Sequence, residues 1–149
     1  MSLSVSFEYT KDVGLTSTDQ DRNKIVIREP ISGDQKKYSP TELLLMAMGG
    51  CSTSDIILII TKMHKKIESL NVTMKGERLE EEPKLLKKAL FHYNIDTDAS
   101  EDNVVKAINL SLEKYCSVTL LAIKGGTEVT YSLTLNGKLV KENEIPKLN

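Results

Sequence analysis

The chain is 149 residues long, 40% hydrophobic and 28% charged, with a formal net charge of −1. Such a length and composition fit one ordinary domain that buries its own core, and exclude a disordered or fibrous chain. Near-neutral charge with both signs interspersed argues against nucleic acid and against an acidic membrane surface as partners.

The first forty residues read as a small β-meander. Leu3, Val5, Phe7 and Tyr9 alternate with Ser4, Ser6 and Glu8, the period of two of a strand with one buried face. Val13-Gly14-Leu15 pairs back after a turn at Lys11-Asp12, and Asp19 to Asn23 is turn chemistry. Lys24 to Glu29 forms another short strand, before a loop opened by Pro30, Gly33 and Asp34.

A long helix follows, with Ser39 as its cap, Pro40 first and Glu42 third, a capping-box pattern. Its apolar run continues through Gly49-Gly50 to Met63, and Lys62, Lys65 and Lys66 suit the negative end of the helix dipole. Roughly 25 residues of helix span about 38 Å. That is more than a small monomer buries on all sides, which points to a second subunit. A membrane span is not expected. Leu43 to Ile60 falls short of the ~20 apolar residues needed and carries Asp55 with serines and a threonine.

Leu70 to Gly76 and Ala89 to Thr97 alternate as strands, joined by the charged segment ERLEEEPKLLKK at an exposed connection or hairpin tip. Ser100, Glu101 and Asp102 open a second helix, with Val104, Ile108, Leu112 and Tyr115 at helical spacing and Cys116 at or just past its end. SVTLLAIKGG reads as a short further helix stopped by Gly125-Gly126. Val129 to Leu135 is a last strand and Asn136-Gly137 a turn. Lys138 to Asn149 is a polar tail, frayed or a weak edge strand. The expected architecture is a single α+β domain over residues 1–149, with antiparallel sheet around a long central helix.

The chemistry centres on Cys51. With two cysteines and no charged-then-apolar leader, a reducing cytoplasm is expected, where a permanent disulfide is not, but a cycling thiol pair is allowed. The thiolate is the reactive form, and a helix N-terminus or a cation lowers its pKa. Gly49-Gly50 would kink or restart the helix, placing Cys51 near free N–H groups, or would let a backbone or ligand approach it. An inert buried thiol is the competing reading. Ser52, Thr53, Ser54 and Asp55 either bond to carbonyls one turn back or line a polar pocket. Glu42 lies nine residues before Cys51, about 180° around a straight helix, and reads from sequence as a capping residue. His64 and His92 lack a cysteine at ligand spacing, so no metal site is expected. Met46, Met48 and Met63 read as core filling. No phosphate loop and no Ser–His–acid motif is visible.

SPTELLLMAMGGCS and AINLSLEKYCSVTLLAI together resemble the two cysteine segments of the OsmC/Ohr family, over about residues 4–136, and are most similar to its uncharacterised OsmC-like branch. The resemblance implies an OsmC-like fold, an intertwined homodimer and a cytoplasmic thiol peroxidase acting on organic hydroperoxides in oxidative or osmotic stress. It further implies Cys51 as the attacking thiolate, Cys116 as the resolving thiol and Glu42 as a site residue. No bound cofactor is implied; an external dithiol, lipoyl in the Ohr branch, would restore the pair. Such a cycle is chemically coherent, because a sulfenic acid beside a thiol condenses before over-oxidation. The Ohr-type site also uses an arginine from the N-terminal strands, for which Arg22 and Arg28 are candidates here. Ser117 stands where the well-defined branches have proline, which bears on how Cys116 is placed. The alternative is an OsmC-like protein that binds a small molecule, or is redox-inactive, without peroxidase activity.

Overall fold

The computed structural model describes residues 1–28 and 37–148. The loop expected at Pro30, Gly33 and Asp34 lies outside the described residues, as do Glu29, Asn149 and the side chain of Arg28. The chain divides into two compact units, residues 1–44 and 45–149.

In the first unit, β1 (Ser6–Thr10), β2 (Gly14–Thr18) and β3 (Lys24–Arg28) form an antiparallel meander in that order. The turn into β3 is built by Asp19, whose carboxylate accepts from the backbone N–H of Asn23 at 2.8 Å and from its side-chain amide at 2.8 Å. Those bonds hold the Asp19 carboxyl below the usual carboxylate range. They also fix Arg22 in the left-handed conformation, φ 66°. The apolar face of β1 is open, contrary to the expectation of burial: Phe7 and Tyr9 are 64% and 56% exposed. Alternation shows which face is apolar, not that the same chain covers it.

Helix α1 (Pro40–Lys62) is unbroken over 23 residues. Its capping box forms as expected, with the Ser39 N–H donating to the Glu42 carboxylate at 3.1 Å. By length and composition alone this helix could cross a membrane, so shortness does not exclude a span. What sets it apart is a stripe at four-residue spacing, Met48, Ser52, Ile56 and Ile60, that is wholly buried within the protein.

The second unit carries a four-stranded sheet in the order β4 (Ile67–Arg78), β5 (Leu86–Thr97), β6 (Glu128–Leu135), β7 (Lys138–Glu144). The β4–β5 hairpin pairs from Ile67↔Thr97 to Arg78↔Leu86, so both ends of the charged connection are strand. The sheet is mixed rather than antiparallel, because β5 and β6 run parallel. The reason lies between them: α2 (Glu101–Leu110), a π turn (Ser111–Tyr115) and α3 (Ser117–Lys124) supply the crossover that parallel neighbours require. Residues 138–144 pair with β6 as an edge strand, settling the alternatives for the tail.

On β5, Ala89, Phe91, Tyr93, Ile95 and Thr97 are buried while the residues between them are more open, so one face of the sheet receives the helices. Phe91, Tyr93 and Ile95 join Met48, Ile56 and Ile60 of α1, Val104 and Ile108 of α2 and Leu133 of β6 in one core. Gly49 permits this approach, since a Cβ there would lie 3.1 Å from Met74 Cγ on β4, whereas one on Gly50 would meet nothing within 4 Å. Truncating a core contact should therefore be costly. Ile56→Ala is expected to lower stability by about 2–5 kcal/mol in urea unfolding. Leu121→Ala, at a side chain 72% exposed, should stay within about 0.5 kcal/mol.

Candidate functional site

Cys51 and Asp55 lie one helical turn apart on α1, each one residue before a member of the buried stripe. They occupy its shoulder, both half-buried. The α2–α3 junction meets that shoulder. The Cys116 N–H bonds to the Ser111 carbonyl at 2.8 Å, closing the π turn, and Cys116 then caps α3. As a result the sulfurs of Cys51 and Cys116 and a carboxylate oxygen of Asp55 all lie within 4.8 Å of one another. Both cysteines are free; Cys116 is completely buried and Cys51 is not.

The structure corrects the expected source of helix N–H groups. α1 does not restart at the glycines, so Cys51 sits in mid-helix. It is Cys116 that sits at a helix N-terminus: the Thr119 N–H donates to its sulfur at 3.4 Å, and its thiol donates to the Thr119 hydroxyl at 3.0 Å. Ser117 occupies the first position of α3, the place where proline is favoured, so the helix starts there without it. Burial pushes the Cys116 thiol up to about 11; the bonds with Thr119 oppose this and neighbouring Cys51 adds to it.

Behind Asp55 runs a buried hydroxyl chain. Ser111 donates to the Asp55 carboxylate at 2.9 Å, the Ser111 and Ser52 hydroxyls are 3.1 Å apart, and Ser52 meets the Tyr93 hydroxyl at 2.6 Å. Ser111 is the donor toward both the Asp55 carboxylate and the Ser52 hydroxyl, and the carboxylate is the stronger acceptor of its one proton. Burial raises the Tyr93 phenol well above its ordinary range, against the effect of its bond with Ser52, which keeps it a donor. Ser54 instead bonds one turn back, to the Gly50 carbonyl at 2.8 Å. A cavity of about 630 Å³ opens beside Asp55, walled by Leu58, Ile59, Met63 and Leu110, with Lys62 and Lys106 also lining it.

The other residues considered from the sequence have contacts of their own. Glu42 is exposed and engaged in the capping box. Arg22 is an exposed turn residue. Among the described residues, Arg78 donates through Nε to the Lys84 carbonyl at 2.7 Å, at the hairpin end. His64 lies in the turn after α1 at φ 59°, and His92 on β5 meets the Thr134 hydroxyl at 3.1 Å. Asp55, Ser111, Thr119 and Tyr93 are site residues that the sequence reading did not single out for this role. For Asp55 the signal was its four-residue spacing from Cys51; the other three have no local signature.

The raised Cys116 pKa has a signed consequence for stability. The unfolded thiol ionises near about 8.5 while the folded one holds its proton to about 11. The protonated native state is therefore fully favoured below the lower value, and stability falls as pH rises through that window. The urea midpoint is expected to drop between these two pH values more steeply in the wild type than in Cys116→Ser.

Comparison with known proteins places this arrangement. Residues 33–132 match the family described as OsmC-like protein. The chain is 37% identical over 108 residues to Protein YhfA of Escherichia coli K12, covering 72% of this chain and 79% of that one. The fold is similar to a crystal structure of an OsmC-like protein from Mycoplasma pneumoniae, with a TM-score of 0.76 at 17% identity over 91% of this chain and 97% of that one. It is also similar to an organic hydroperoxide resistance protein from Elizabethkingia anophelis, with a TM-score of 0.67 at 18% identity over 91% and 97%. The architecture is an OsmC-like α+β fold, and the chain belongs to the OsmC-like family.

Proposed function

We propose that this protein is a two-cysteine thiol peroxidase for organic hydroperoxides. The observation that carries the reading is the pairing of a half-exposed sulfur with a fully buried one inside a 4.8 Å cluster. The accessible thiol meets the oxidant and the enclosed thiol waits for the product. In this reading the Cys51 thiolate attacks one peroxide oxygen, the O–O bond breaks, and the alkoxide takes up a proton and leaves as an alcohol. Cys51 is then a sulfenic acid. The Cys116 thiolate attacks its sulfur, hydroxide leaves and is protonated to water, and a disulfide forms. Asp55 is placed to accept thiol protons in both steps. An external dithiol, a lipoyl group among the candidates, reduces the disulfide, which suits a reducing cytoplasm. The cavity beside Asp55 supports an apolar substrate, and a relative by fold is named for organic hydroperoxide resistance.

The working form in this reading is a homodimer. Only 22% of the most apolar window of α1 is buried within one chain, and Met46, Ile57 and Leu58 are 54%, 45% and 53% exposed. A second copy would cover this face. Sedimentation should find a dimer, and Leu58→Glu should shift it toward monomer; a monomeric wild type refutes the dimer.

One observation favours a second reading, a redox-inactive binding protein. The charged group beside the thiols is a carboxylate, and a like charge disfavours the thiolate. Mass spectrometry after one equivalent of cumene hydroperoxide separates the two. The peroxidase reading expects an intramolecular Cys51–Cys116 disulfide, a stable sulfenic acid in Cys116→Ser, and complete loss of dithiol-supported turnover in Cys51→Ser. Unchanged thiols in the wild type sink it.

A further inference from the structure

We infer that Cys51, Asp55 and Cys116 form a binding site for one thiophilic divalent cation, Zn²⁺ above all, in the reduced protein. The inference goes beyond peroxide chemistry and does not depend on it.

The geometry is that of a three-ligand site with an open position. Tetrahedral zinc binds thiolate sulfur at about 2.3 Å and carboxylate oxygen at about 2.0–2.2 Å, so two sulfurs and one oxygen around it stand roughly 3.5–3.8 Å apart. Here two sulfurs and one carboxylate oxygen lie within 4.8 Å of one another. Side-chain torsions alone can close the remaining gap. Cys51 and Asp55 are one turn apart on α1, so one rigid element presents two ligands, and the α2–α3 junction brings the third. The half-exposed side of the cluster, at Cys51 and Asp55, leaves a fourth position for water.

The surrounding bonds match what metal ligands need. Ligating carboxylates are themselves hydrogen-bonded, and such partners hold the ligand in place. Ser111 donates to Asp55 Oδ2 at 2.9 Å, and the carboxylate keeps further lone pairs for a cation; Ser52 and Tyr93 pack behind Ser111 through their hydroxyls. The Thr119 N–H already points at the Cys116 sulfur, and the Thr119 hydroxyl can rotate to donate to a thiolate. Charge favours occupancy as well. With both thiols ionised, the cluster would hold three negative groups, and a divalent cation neutralises two. Soft sulfur ligands select Zn²⁺ or similar metals over Mg²⁺ and Ca²⁺.

Anaerobic titration of the reduced full-length protein with Co²⁺ alone, followed by Zn²⁺, tests this directly. The expected result is one Co²⁺ per chain, with a thiolate-to-cobalt charge-transfer band and tetrahedral visible absorption, both lost as Zn²⁺ displaces the cobalt. Cys51→Ser should weaken the charge-transfer band and the affinity together. Asp55→Ala and Ser111→Ala should each weaken binding by about 10-fold or more, with circular dichroism confirming that both variants fold. Absence of the charge-transfer band in the wild type overturns the proposal. So does an Asp55→Ala protein whose cobalt affinity and spectrum are unchanged. Because no peroxide enters the measurement, a protein that binds cobalt yet fails the peroxidase assay loses only the proposed activity. One that turns over peroxide without binding cobalt loses only the metal site.

Discussion

Everything at the thiol cluster depends on how α1 lies against the sheet. Met48, Ser52, Ile56 and Ile60 repeat every fourth residue and are all completely buried. That repeat fixes the rotation of the helix about its axis. Cys51 and Asp55 each precede a member of the stripe by one residue, so they take its shoulder, half in the core and half outside. A different rotation would bury the thiol or release it into solvent. Gly49 lets Met74 come close enough to hold this orientation, and the Ser52–Tyr93 hydroxyl pair pins it with a polar contact inside an otherwise apolar layer. An unsatisfied buried hydroxyl costs roughly 1–3 kcal/mol, so a register in which Ser52 and Tyr93 miss each other is penalised.

The second half of the cluster is set by the π turn. An ordinary helix through Ser111–Tyr115 would carry Cys116 onward along the axis of α2. The wider turn, closed by the Cys116 N–H on the Ser111 carbonyl, ends that axis and starts α3 with Cys116 as its cap. Ser111 thereby serves two parts of the site. Its backbone carbonyl closes the turn that places Cys116, and its hydroxyl orients Asp55.

Much of this was legible in the chain beforehand, for identifiable reasons. Capping residues and apolar periodicity are local, and they marked α1, α2 and α3 with little shift in their limits. The two cysteines were found through the resemblance of their segments, which periodicity alone would not have supplied. What escaped notice is non-local. Alternation along β5 and β6 is the same whichever direction the neighbour runs, so it did not reveal their parallel pairing. The full lengths of the hairpin and the last strand carry a weak signal because Lys87, Lys88 and most of Lys138–Glu144 are polar residues on open faces or edges. Glu42 and Asp55 differ in how local their signals are. Glu42 stands in a capping motif readable in the sequence and makes that cap, whereas Asp55 belongs to no motif and stands beside both sulfurs.

The proposed disulfide cycle and the proposed cation site exclude each other at this cluster. A disulfide consumes both sulfurs, leaving Asp55 alone as a ligand, and a lone carboxylate holds a divalent cation weakly. Conversely, a cation bound to both sulfurs withdraws the electron pairs a peroxide would need. In these two proposals oxidation state and metal occupancy are alternatives at one place. Asp55 sharpens the choice. As a bare carboxylate it opposes a standing thiolate by charge, whereas across a bound cation the same charge becomes an attraction. The proton is the third competitor, and Ser111 bears on it by donating a hydrogen bond to Asp55. That bond orients the carboxylate beside both sulfurs, where either a proton or a cation would meet it.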